Sequence, residues 1–82
     1  LICNVELIIK TKTEVRDPEG ESIKMYAVNK VDSNVADVRA GKYLLFKLEA
    51  DTCENALNRV KEIAEKARLY NPIIQEIQVR LS

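Results

Sequence analysis

From Cys3 to Thr11 the apolar residues Cys3, Val5, Leu7 and Ile9 alternate with Asn4, Glu6, Ile8 and Lys10. A period of two is the signature of a strand with one face on a core. A second run, Tyr43 to Ala50, puts Leu44, Phe46, Leu48 and Ala50 on one face and Tyr43, Leu45, Lys47 and Glu49 on the other. A third follows Asn71-Pro72, where Ile73, Ile77, Val79 and Leu81 alternate with Ile74, Glu76, Gln78 and Arg80. Between these runs the period lengthens. Asp17-Pro18-Glu19-Gly20 reads as a helix start, with Asp17 capping free N–H groups and Pro18 at the first helical position. The helix is predicted from about Pro18 to Val31, with Ile23, Tyr26, Ala27 and Val31 turned inward. Asp51-Thr52-Cys53-Glu54 forms a capping box with Asp51 as the cap, opening a second helix. Its stripe is Cys53, Ala56, Leu57, Val60, Ile63, Ala64 and Ala67, with Glu62 and Lys66 paired on the wet side, and it ends before Asn71-Pro72.

After the polar break Asp32-Ser33-Asn34, the residues Val35, Ala36 and Val38 lead through Arg39-Ala40-Gly41-Lys42 into the second apolar run. This reads as a hairpin, with Gly41 supplying the permissive backbone of its turn. The predicted order is β-α-β-β-α-β: an α+β, two-layer domain with an antiparallel sheet and two helices on one face. Residues 1–82 make a single domain. A chain this short hides only about 60 to 65% of its unfolded surface, so a partner or a second copy is expected to add burial.

Composition narrows the function. Thirteen Lys and Arg balance thirteen Asp and Glu, and His is absent. A neutral, interleaved surface is wrong for nucleic acid, and the strands lack the aromatic platform of an RNA-binding sheet. Without His, and with both cysteines on core faces, nucleophilic triads and imidazole acid–base chemistry have no support. Pairs such as Asp51 with Glu54, or Glu62 with Glu65, are better explained as a cap and a solvated face than as catalytic dyads. The two glycines, Gly20 and Gly41, stand too far apart for a phosphate loop, and no metal site is expected. Cys3 and Cys53 are expected to be buried thiols rather than a disulfide, which implies a reduced, cytoplasmic setting. No apolar run approaches a membrane span and no export signal is read, so neither insertion nor export is expected. The outer sheet face is only half polar: Ile2, Ile8, Tyr43 and Leu45 lie on it with no free segment to cover them. They are predicted to form a dimer interface.

Three segments in register carry a family resemblance: Asp17-Pro18-Glu19-Gly20, Val35-Ala36-Asp37-Val38-Arg39-Ala40-Gly41-Lys42-Tyr43, and Asn71-Pro72-Ile73-Ile74. Together they resemble the PurS family, the small subunits of multi-chain phosphoribosylformylglycinamidine synthase, over essentially the whole chain. The helix-one segment departs from many members, with Asp32-Ser33 at the turn after it. The resemblance implies a non-catalytic role in purine biosynthesis, where glutamine and ATP convert formylglycinamide ribonucleotide to formylglycinamidine ribonucleotide. It implies a homodimer, or a tetramer, that joins the synthetase subunit PurL to the glutaminase subunit PurQ and supports ammonia transfer. No cofactor is expected on this subunit; ATP and Mg belong to the large one. Arg39 and Lys42, charged at a turn that needs no charge, are the first candidates for partner contact. Asp17, Gly20, Gly41 and Asn71 carry over as further candidates, with structural roles at helix start and turn as the alternative. A small-molecule-sensing module of the same topology is the competing reading, on fold analogy alone.

Overall fold

A computed structural model describes all 82 residues. The chain runs β1 (Ile2–Thr11), α1 (Pro18–Tyr26), a 3-10 turn (Val28–Lys30), β2 (Gly41–Glu49), α2 (Cys53–Lys66) and β3 (Gln75–Leu81). The sheet is antiparallel throughout, in the order β2-β1-β3. β1 is central because both of its edges are paired and its inner residues are all apolar: Cys3, Val5, Leu7 and Ile9 are each at most 2% exposed. Register places Leu48 beside Cys3, Phe46 beside Val5, and Val79 beside Leu7. α2 lays Ala56, Val60 and Ala64 over this row, and small residues on the helix let it sit close to the strand.

The α+β class and the antiparallel sheet agree with the sequence reading, but three local features differ. Val35 to Ala40 pair with nothing, so the sheet has three strands where four were predicted. Gly41 is the first residue of β2 rather than a hairpin turn, and a Cβ there would meet the Ile9 carbonyl oxygen at 2.3 Å. α1 stops at Tyr26 and packs on neither the sheet nor α2, so the second helix on the sheet face is missing. Its intended inward residues Ile23 and Tyr26 are exposed, and Val31 beyond it is 91% exposed. The long axis is therefore 48 Å, and the radius of gyration is 15.7 Å. A compact chain of this length would have about 12 Å.

Both ends of α2 also shift. Thr52, not Asp51, is the cap, its hydroxyl accepting from the Asn55 N–H at 3.0 Å. The helix ends at Lys66, where Arg68 adopts a left-handed φ of 54°. The Leu69 and Arg68 N–H groups then donate back to the Ala64 and Glu65 carbonyls. This is a Schellman ending, with Leu69 as its hydrophobic contact on the core. Arg occupies the position where Gly would have signalled the stop. Ile73 and Ile74 fall in the following turn, so β3 starts only at Gln75.

Cys3 and Cys53 form a disulfide, with Cα atoms 5.6 Å apart. The expectation of two reduced thiols is thereby corrected. Each residue does lie on a core face, as the periodicity required. The pattern along one chain did not show that the two core positions, 50 residues apart, face each other across the β1–α2 contact. The argument from free thiols to a reduced compartment falls with it. No helix is long and apolar enough to cross a membrane.

Candidate partner-binding surfaces

The family-motif residues converge on one end of the sheet. Asp17 precedes α1 and is buried, one carboxylate oxygen accepting from the Gly20 N–H at 3.1 Å and the other from the Ala40 N–H at 2.7 Å. The same side chain thus caps the helix and ties it to the strand that follows. The Ala40 and Gly20 hydrogen bonds hold its pKa below the usual carboxylate value, and the nearby Arg39 charge adds to this. Gly20 is the only buried residue of α1, and a Cβ there would come within 2.2 Å of the Val38 carbonyl oxygen. The backbone that approaches Gly20 so closely is this chain's own loop.

Arg39 completes the arrangement. One guanidinium nitrogen donates to the carbonyls of Lys12 at 2.6 Å, Val15 at 2.8 Å and Thr11 at 3.5 Å. Asp17, Gly20, Arg39 and Ala40 therefore make a clasp that fastens the β1–α1 loop to the segment before β2, where Gly41 lies close against Ile9 of β1. Its consequence is mechanical: only the first turn of α1 is held, and the rest of the helix projects as an arm. Lys42, by contrast, enters none of the ion pairs and remains exposed at the start of β2. Asn71 lies at the same end of the sheet, in the turn before β3, where the Lys12 N–H donates to the Ile74 carbonyl at 3.0 Å. Its side-chain oxygen accepts from the Ile73 N–H at 3.0 Å, and its own N–H donates to the Gln75 side chain at 2.8 Å. The candidates thus gather at one end of the sheet as a clasp, a free lysine and a neighbouring turn.

The outer sheet face holds the second set. Ile8 sits opposite Tyr43, and Leu45 sits opposite Glu6, so these three apolar side chains adjoin. Ile2 shares the face but lies at its far end, beyond the Asn4–Lys47 pair. Tyr43 and Leu45 are 54% and 57% exposed. Among them runs a polar line that periodicity did not single out. The Tyr43 hydroxyl donates to one Glu6 oxygen at 2.5 Å, and the Arg80 guanidinium pairs with the other. Hydrogen bonds from Tyr43 and then Arg80 hold the Glu6 pKa below its ordinary value, while the hydrogen bond to Glu6 raises that of the Tyr43 phenol. The line joins all three strands. Its members are 37 and 74 residues apart from Glu6 in sequence, so only the strand register could reveal it.

The arm supplies apolar surface, and two of its residues, Ile23 and Tyr26, had been assigned to the interior by the sequence reading. Met25 and Tyr26 are 59% and 67% exposed, and Ile23 is 42% exposed. A helix with so little of its own burial is marginal in water unless something else covers it.

With this geometry in hand, comparison with known proteins is decisive. The family model for PurS, phosphoribosylformylglycinamidine (FGAM) synthase, matches residues 4–82. The chain belongs to the PurS family. It is a subunit of FGAM synthase, in purine biosynthesis. The PurS subunit of Thermotoga maritima is 33% identical over 72 residues, 88% of this chain and 87% of that one. The PurLQS structure from Thermotoga maritima matches with a TM-score of 0.87 at 29% identity, covering 100% of this chain and 99% of the matched one. PurS of Methanocaldococcus jannaschii matches with a TM-score of 0.82 at 26% identity, covering 100% of this chain and 96% of that one. These matches span the arm as well as the sheet. The small-molecule-sensing reading gains nothing from these relatives.

Proposed function

We propose that this PurS chain is a non-catalytic subunit that joins the synthetase PurL to the glutaminase PurQ, and so supports ammonia transfer between them. The observation that carries this reading is the full-length match to PurLQS from Thermotoga maritima. The structure adds a physical reason: arm and outer sheet face both present apolar side chains that the monomer does not cover. The chain acts as a homodimer, or as a tetramer of two such dimers, with Ile8, Tyr43 and Leu45, and Ile2 at the margin, between two copies. Lys42 is the free charge for a partner subunit, whereas Asp17, Gly20, Arg39 and Gly41 serve indirectly by setting the arm. ATP and Mg act on the large subunit, no cofactor is bound here, and the complex works in the cytoplasm. The last point follows from the pathway and not from the cysteines, which are bridged.

The test is amidation of formylglycinamide ribonucleotide by purified synthetase and glutaminase, with and without this chain, using glutamine or ammonium chloride. The glutamine reaction should require the chain, while the ammonia reaction should not. Equal glutamine rates in its presence and absence, with no complex formed, would overturn the proposal.

A further inference from the structure

The bridge between Cys3 and Cys53 plays no part in the subunit-joining reading, and it is the covalent cross-link of the chain. The 50-residue separation it spans takes in α1, the clasp and β2. It also secures an otherwise weakly held corner. Beyond Cys3, the start of β1 is retained by one hydrogen bond from the Ala50 N–H to the Leu1 carbonyl and by an exposed ion pair from the Leu1 amino group to Glu49 at 3.9 Å. Exposed pairs of this kind contribute little. Ile2, on the proposed dimer face, lies in the same corner.

Both oxidation states suit the fold. Cys3 is 2% exposed, and a reduced cysteine packs there as a small apolar residue. Cys53, at the first residue of α2, is only partly buried. It is the sulfur that an external thiolate reaches.

We propose that Cys3–Cys53 is a reversible redox staple, oxidised to lock the β1 start to α2 and reduced to a folded but looser subunit. An external thiolate, from a small thiol or a dithiol protein, attacks the Cys53 sulfur. The bridge breaks, and Cys3 leaves as a thiolate and takes up a proton. A second external thiol then displaces Cys53, forming the external disulfide and leaving two protein thiols. Two electrons and two protons pass to the protein; oxidation runs the exchange backwards with a small disulfide as acceptor.

The full chain, without denaturant, is equilibrated in buffers of reduced and oxidised glutathione, and thiols are counted by alkylation and mass spectrometry. The staple should titrate between zero and two free thiols. The reduced protein should remain folded by circular dichroism but melt roughly 10 to 20 °C lower. Amide exchange should quicken at Cys3, Val5 and Ala50 while remaining slow at Val60 and Ala64. The variant Cys3→Ala/Cys53→Ala should melt near the reduced protein and ignore dithiothreitol; should it not fold, reduced wild type carries the same test. Two thiols that stay free in oxidised glutathione would overturn the proposal. So would a bridge that resists reduction until the protein unfolds, or equal melting temperatures in the two states.

Discussion

The β1–α2 body and the α1 arm are built on opposite principles. The body hides Val5, Leu7, Ala56, Val60 and Ala64 completely and adds a covalent bridge. Closing a loop of this size stabilises by about 4 kcal/mol in the chain-entropy picture. The arm buries only Gly20, and its position comes from polar groups: the Asp17 carboxylate and the Arg39 guanidinium, each spread over several backbone partners. Burial makes the body stable by itself. The clasp directs the arm without covering it, which is the arrangement expected of a surface reserved for another chain.

Substitutions should separate the two regions. Leu7→Ala, which empties the centre of the body, should lose about 3 to 4 kcal/mol in urea denaturation and melt sheet and helix together. A loss below about 1 kcal/mol would show that the body is not the stabilising unit.

Asp17→Ala should lose about 2 kcal/mol, because it removes a cap and leaves the half-buried Ala40 N–H without an acceptor. It should also alter the acid response. The folded state holds this carboxyl below its usual value near about 4, so the unfolded chain takes up the proton first as pH falls. Its contribution is therefore complete above about pH 5 and is lost as pH drops through the folded-state value. Glu6 titrates in the same sense. Denaturation between pH 3 and 7 should show a shallower acid limb in the variant; an unchanged limb would remove Asp17 from the account.

Tyr26→Ala should change monomer stability by no more than about 0.5 kcal/mol, since the ring is exposed. The same variant should weaken co-elution with the synthetase and glutaminase in size-exclusion chromatography. Undiminished assembly would mean that the arm is not a docking element.

Local chemistry made much of this fold legible. Strict alternation identified β1 to within a residue, and the Asp17-Pro18 start was read correctly because capping is a short-range interaction. Cys53, Ala56, Leu57, Val60 and Ala64 and the Glu62–Lys66 pair followed from helical spacing, whereas Ile63 and Ala67 of the expected stripe are exposed. Errors clustered where a distant partner decided the outcome. Val35 to Val38 have strand-like composition but find no strand to pair with, and Ile23 and Tyr26 have helical spacing but no sheet beneath them. Arg68 ends α2 because Leu69 must reach the core, an advantage that outweighs the cost of a left-handed arginine.

The candidate residues divide in the same way. Their sequence order and spacing indicated the family, and the outer-face positions of Ile2, Ile8, Tyr43 and Leu45 followed from alternation alone. What each motif residue does was settled in three dimensions. Asp17 and Arg39 turn inward to backbone groups of their own chain, Lys42 stays free, and Glu6 is drawn between Tyr43 and Arg80. By itself, then, the sequence determined where the strands and helices begin to form and which faces are apolar, since those depend on neighbours within a few residues. The tertiary structure alone decided that Cys3 meets Cys53, that α1 stands off the sheet, and that the motif closes into a clasp. Each of those outcomes depends on which remote segments come within bonding distance, and periodicity along a single chain carries no information about that.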